Sequence, residues 1–239
     1  MEKKIKRINN LLFEYQPQIA EIQKFLLRSV LSFLVGSGLG LLFNRKVILF
    51  LISQFDLKNV NVVLTSPYQF INLAVGISIV VGITTTIPVF VYYLLVFIRP
   101  ALQPKEFDLI KKLIPTSIIL FIIGCIFGIK IEQFVVSLYS QTTTDYSLSN
   151  FWDIESFLSQ VMIMSFTMGL VFELPIILTI LIKIKLLSVS VLSHQRRYVY
   201  AALLVFGVIL PPTDILSLVM IVFPLFLLFE CTLLLNRAN

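Results

Sequence analysis

From Asn59 to Ile98 the chain carries no charged side chain, and that forty-residue run constrains the fold more than any other feature. A water-soluble domain of ordinary composition has about 25% charged residues; this chain of 239 residues has 13%, with 58% hydrophobic residues. Its mean hydropathy is +0.96. The charges that remain are bunched, leaving long apolar gaps. Such gaps suit the hydrocarbon core of a bilayer, which takes roughly 20 apolar residues per helix and requires every backbone N–H and C=O to be bonded internally. The chain is therefore read as an all-α integral membrane protein of one domain, residues 1–239.

The gaps place six transmembrane helices at about 25–43, 71–98, 113–129, 157–182, 198–210 and 215–235. The third is expected to continue as helix toward Tyr139. The stretch "NVNVVLTSPYQF" before the second is polar and β-prone, and is read as an external loop. At about 1.5 Å per residue the fifth segment covers roughly 20 Å against a hydrocarbon core of roughly 30 Å. Local bilayer thinning or snorkelling by Arg197 would make up the difference. A hairpin re-entering from one side is the rival arrangement for that segment.

Basic residues set the orientation. With six spans, fifteen of the 19 lysines and arginines fall on one side: the N-terminal segment with Lys24 and Arg28, the loop from Arg99 to Lys112, the loop from Lys183 to Arg197, and Arg237. The other side holds Arg45, Lys46, Lys58 and Lys130, with Asp56, Glu132, Asp145, Asp153, Glu155 and Asp214. The positive-inside rule then makes both termini cytoplasmic. The net charge of +6 is thus a topology signal, because the basic residues flank spans instead of forming a nucleic-acid patch. Cys125 and Cys231 lie in separate apolar runs, and His194, the one histidine, lies in a basic loop. Neither a disulfide framework nor a metal site is expected. With no HExxH sequence and no nucleophile set, an enzyme is not expected either. No cleavable signal is expected, since the first 24 residues are polar and no short apolar stretch with a small-residue cleavage site follows.

Three carboxylates could carry function. Glu21 precedes the first span, and Glu106 lies in the second cytoplasmic loop. Beside so many basic residues, both are read either as solvated acids or as a receptor for a cationic peptide, since carboxylates pair bidentately with arginine. Glu173 sits within "MGLVFELPIIL", about ten residues from Lys183 and so roughly 15 Å deep at the helical rise. A charge there costs about 2.5–3.5 kcal/mol on insertion scales. Pro175 lacks an amide hydrogen and crowds the Val171 carbonyl, so a kink is expected beside the acid. Proton carrier, ion site and peptide contact are all open roles for Glu173. Pro88 within the second span is read as a second kink, Pro115 as opening the third span, and the several prolines together as a shaped, partly open bundle.

Three further stretches resemble one family. "IPVFVYYLLVFIRPALQPKE" carries Pro88, Tyr92, Phe97, Pro100, Leu102, Lys105 and Glu106. "FELP" carries Glu173 and Pro175, and "LPPTDILSLVMIVFPLFLLFE" carries Pro212, Asp214, Ser217, Pro224 and Glu230. In order and spacing, these resemble TatC, the polytopic core of the twin-arginine translocase, from about Glu21 to Arg237. Gln23 and Phe25 stand where that family usually has arginines. The resemblance implies a cupped, six-helix protein with short fifth and sixth helices and no cofactor. It would bind twin-arginine signal peptides of folded cargo through Glu21, Glu106, Phe97 and Leu102. It would also assemble, as a homo-oligomer, with single-span TatA and TatB partners. By the same resemblance Glu173 and Asp214 become intramembrane polar or partner contacts, and transport is driven by the proton-motive force. The location implied is a bacterial plasma membrane, with an organellar inner or thylakoid membrane as the alternative. A proton- or ion-coupled small-solute transporter using Glu173 is the rival function.

Overall fold

The computed structural model describes the backbone of residues 2–55, 61–98, 104–145, 151–210 and 215–237, and the side chains within 23–55, 61–93, 111–140, 151–210 and 215–237. In chain order the elements are α1 (Glu2–Ser53), β1 (Asn61–Val63), α2 (Gln69–Ile98), α3 (Pro104–Asp145), β2 (Phe151–Asp153), α4 (Ile154–Phe172), α5 (Leu174–Lys183), α6 (Val189–His194), α7 (Arg196–Ile209) and α8 (Ile215–Arg237). Five segments are long and apolar enough to cross a membrane: Gln23–Ser53, Gln69–Tyr93, Lys111–Ser140, Ile154–Lys183 and Ile215–Arg237. The segment expected at 198–210 lies in α7, whose 14 residues make roughly 21 Å of helix, too short for that group. Large apolar side chains face outward on these helices, among them Leu42 (79% exposed) and Phe223 (66%). Lipid tails, not water, suit that surface.

Several helices run past the hydrophobic gaps that announced them. Helix α1 ends at Ser53 and not at Phe43, because nothing between those residues breaks a helix. Its last turns also pack Ile48 and Leu51, with Phe55 just beyond the helix, in one cluster with Leu73, Ile77 and Leu158. Helix α3 starts at Pro104 and contains Pro115 internally, so Pro115 does not open it. The all-α expectation needs one correction. The β-prone loop pairs with the segment ahead of α4 as a two-stranded parallel sheet, with Asn61 opposite Phe151, Val62 opposite Trp152 and Val63 opposite Asp153. Valines and aromatics suit such a ladder, and the pairing satisfies backbone groups in segments that join long helices.

Close backbone approach sets the helix–helix packing. Along α1 and α2, a Cβ placed on Gly36 would stand 3.0 Å from the Gly82 Cα, and one on Gly40 would stand 2.8 Å from the Ser78 Cα. Along α3 and α4, a Cβ on Gly124 would lie 2.5 Å from the Met168 carbonyl oxygen, and one on Gly128 would lie 2.7 Å from the Ser165 Cα. Small residues at such crossings let dispersion and carbonyl contacts replace the hydrophobic drive that lipid removes. Beyond them, Ile131, Met164, Met168, Leu203, Ile221, Leu225 and Phe229 form the core that joins α3 and α4 to α7 and α8.

Gly124→Ala is expected to destabilise the fold by about 1–3 kcal/mol through overpacking, since the group it meets is backbone and cannot turn away. Gly38, whose Cβ position has nothing within 4 Å, is the matched control. Gly38→Ala should leave thermal stability in detergent unchanged or raised by up to about 1 kcal/mol, the helix-propensity gain.

Candidate functional site

The intramembrane acid lies where the fourth apolar segment breaks. Glu173 ends α4 and precedes α5. Its N–H donates to the Leu170 carbonyl (3.1 Å), and its own carbonyl accepts from Ile176 and Ile177 N–H (both 3.0 Å). Pro175 stands in the first turn of α5, where a missing N–H costs least. The proline therefore moves the chain from one helix into the next within a single residue, and that residue is the acid. The Glu173 side chain turns into the protein and is 5% exposed. Its Oε1 accepts a 2.9 Å hydrogen bond from the hydroxyl of Ser117 on α3, itself 1% exposed. Sequence reading missed Ser117, because nothing about a lone serine in an apolar run says which helix it faces.

Pro88 behaves differently. Helix α2 continues through it. Just before it, the Thr85 and Thr86 hydroxyls both donate to the Gly82 carbonyl, at 2.9 and 2.7 Å. The Thr85 carbonyl accepts from Ser32 of α1 at 3.3 Å. Threonine and serine hydroxyls are the usual means of satisfying backbone near an intramembrane proline.

Four expected peptide contacts and one expected partner contact fall where side chains are not described. Glu21 lies in α1, Phe97 in α2 and Glu106 in α3, while Leu102 and Asp214 lie outside the described residues altogether. The neighbouring turns of α1 and α2 are clear. Arg28 donates through Nη1 to the Tyr93 hydroxyl at 2.8 Å, with its guanidinium carbon 4.9 Å from the ring centroid. Phe25 packs on Phe90 at 5.1 Å and on Tyr93 at 6.2 Å. Tyr92, the motif tyrosine, is 50% exposed, and its neighbour makes the contact to α1.

A second polar cluster ties the last helices together. Glu230 of α8 pairs with Arg196 at 3.2 Å and accepts a hydrogen bond from Tyr200 of α7. Asn236 donates to Thr179 of α5 (3.0 Å) and Arg237 to Ser193 of α6 (3.0 Å). Glu230 belongs to the third motif, but its partners lie some thirty residues away and were not legible in it. Lys185, at φ 61°, closes α5 in the left-handed conformation, with Leu186 N–H returning to the Leu181 carbonyl at 3.0 Å, a common helix stop.

At the sheet end, Asp153 caps α4 by accepting from the Ser156 N–H at 2.9 Å. It also accepts from the Thr65 hydroxyl at 2.7 Å and from the Gln69 amide. The Ser156 backbone bond first, then the Thr65 hydroxyl and the Gln69 amide, hold its carboxyl down at about 2. A cavity of about 350 Å³ beside it is lined by Glu132, Tyr139, Trp152, Phe157 and Gln160. Glu132 is 1% exposed and accepts from the Gln160 amide at 3.3 and 3.4 Å. Among the described residues no group of three or more His, Cys, Asp or Glu side chains could hold a metal ion.

Comparison with known proteins places this geometry. Residues 18–224 match the family described as Sec-independent protein translocase protein (TatC). TatCy of Bacillus subtilis (strain 168) is 31% identical over 225 residues, covering 92% of this chain and 87% of that one. TatC of Aquifex aeolicus (strain VF5) is 28% identical over 224 residues, covering 92% of each. A crystal structure described as the twin arginine translocase receptor TatC superimposes with a TM-score of 0.78 at 28% identity, covering 92% of this chain and 98% of that one. A second crystal structure of that receptor, in the detergent DDM, gives a TM-score of 0.81.

The Asp153 bonds generate a pH dependence with a definite sign. Its carboxyl titrates at about 2 in the folded protein against roughly 3.9 unfolded. The contribution is therefore complete above about pH 4 and is lost as pH falls toward 2. Trp152, the single tryptophan, sits beside Asp153 and reports on it. Its fluorescence should change over that window, and in Asp153→Asn this acid transition should be absent.

Proposed function

The chain belongs to the TatC family of Sec-independent protein translocase proteins, and on that premise we propose that it is the receptor and core subunit of a twin-arginine translocase. It is a membrane transport protein, not a member of an enzyme family. In this reading it forms one domain that crosses the membrane six times, α7 supplying the fifth crossing, with both termini in the cytoplasm of a bacterial cell. Paired arginines of a signal peptide are taken by the carboxylates of Glu21 and Glu106, with Phe97 and Leu102 supplying apolar contact beside them. A guanidinium suits this role because it bonds a carboxylate bidentately and keeps its charge at any working pH. Single-span TatA- and TatB-type partners dock on the side of α7 and α8, near Glu173 and Asp214. Copies of the chain associate in the assembled complex, and the proton-motive force drives export of folded cargo.

One observation carries the peptide-binding part of this reading. The Arg28–Tyr93 and Phe25–Phe90 contacts bind α1 and α2 together along the turns that lead to positions 21 and 97. Glu106 follows within the first turn of α3. In the six-span topology the entry of α1 into its span, the end of α2 and the start of α3 all converge on the cytoplasmic side, where the basic residues also gather. Convergence of this kind lets two carboxylates act on one extended peptide.

A peptide bearing paired arginines should bind the detergent-solubilised protein, and Glu106→Ala should weaken it by about 1.5–3 kcal/mol, the range for a bond to a charged group. Unchanged affinity in Glu21→Ala, Glu106→Ala and the double variant would remove these residues from the receptor role. Glu173→Gln is expected to fold and to bind the peptide while altering co-purification with the single-span partners. Normal export by a Glu173→Leu variant would show that the acid has no part in the process.

A further inference from the structure

We propose that Ser117 is the positioning residue for Glu173: it holds the carboxyl inside the bundle, and a docking partner reaches that carboxyl only by displacing it. The inference rests on the reading of Glu173 as a partner contact and deepens it. Glu173 is 5% exposed and Ser117 is 1% exposed, and the hydroxyl donates to Oε1 at 2.9 Å. Among the described residues, Ser117 is the hydrogen-bond partner of this carboxyl, and no basic side chain stands within ion-pair distance of it. The acid is thus turned toward α3, away from any surface where a second helix could meet it.

The local backbone explains how such an arrangement can be both stable and reversible. Glu173 is the single residue between α4 and α5, with helical φ −75° and ψ −14°. On the far side of the contact, Pro115 precedes Ser117 by two residues inside α3. Below the contact, Ile176 and Ile180 of α5 pack with Leu113, Ile114 and Leu120 of α3. These keep α3 and α5 together whether or not the hydroxyl bond is made. Release of Glu173 therefore needs a side-chain rotation and the loss of one hydrogen bond, not separation of two helices. The chemistry also defines what can replace Ser117. An ionised carboxyl leaving a hydroxyl in apolar surroundings needs another donor, and a neutral one needs a donor or an acceptor for its own proton, so the incoming partner must offer a polar group. An apolar helix face cannot supply one, and leaving the acid unbonded is costly.

The test reads the carboxyl directly, in the full-length protein in detergent. Dicyclohexylcarbodiimide, an apolar reagent for buried carboxyls, is applied, and modification of Glu173 is followed by mass spectrometry of its peptide. Glu132 serves as the internal reference, being a carboxyl that is 1% exposed and bonded to a different helix through Gln160. Ser117→Ala should raise the rate at Glu173 relative to Glu132 about fivefold, as expected for loss of one hydrogen bond. Ser117→Thr, which keeps the hydroxyl, should restore the wild-type ratio. An unchanged ratio in Ser117→Ala would overturn the proposal, and so would a parallel rise at both carboxyls, which would mean general loosening. The labelling needs no partner, so its failure is distinct from failure of the partner-contact reading, which the co-purification of Glu173→Gln tests separately.

Discussion

In hydrocarbon an apolar side chain gains nothing by leaving its surroundings, so apolar helices hold together only where backbones come close or polar groups bond across an interface. Both devices occur here, and they divide the work. Gly40 on α1 and Gly124 and Gly128 on α3 bring helix backbones into contact where a single added carbon would collide. Between these tight pairs the larger side chains of the Ile131–Phe229 core fill the space. The arrangement leaves leucines, isoleucines and phenylalanines pointing outward, which would be a fault in a soluble protein and is the requirement in a bilayer.

The polar bonds sit where function is expected. At the basic end, Arg28 and Tyr93 join α1 to α2, while Glu230, Arg196 and Tyr200 join α8 to α7. At the opposite end Asp153 joins the short sheet to α4 and α2. The Glu173–Ser117 bond lies within the spans, and it is built on a helix break that Pro175 makes inexpensive. A bilayer core penalises such a bond unless it is buried and complete, and burial is what the structure provides. The same burial distinguishes this acid from an ordinary exposed ligand group, because any partner must compete with α3 for it.

Much of the fold was legible in the amino-acid sequence. Charge-free runs located the long helices, since no other fold tolerates them, and the four-residue spacing of Pro88 and Tyr92 with the Pro–x–Leu turn pointed to the family. Two readings missed for physical reasons. A helix does not stop where the hydrocarbon stops: α1 has good helix formers through Ser53 and side chains to pack, so it continues. The sheet was missed as well, because Asn61–Val63 and Phe151–Asp153 are too short to show alternation and pair only after α3 has brought them together. The partners of Glu173 and Glu230 were hidden for a related reason. A buried acid declares itself by its cost, whereas the serine or tyrosine that satisfies it looks like any other residue of an apolar helix.

The sequence by itself determined the medium, the helical class, the family and the expensive position of one carboxylate, because each follows from local chemistry: hydropathy, charge spacing and proline placement. Tertiary structure alone decided which way that carboxylate points, what it bonds, and which glycines stand at helix crossings. Those depend on the rotation of each helix about its own axis, which is set by packing between segments far apart in the chain and leaves no mark in either segment alone.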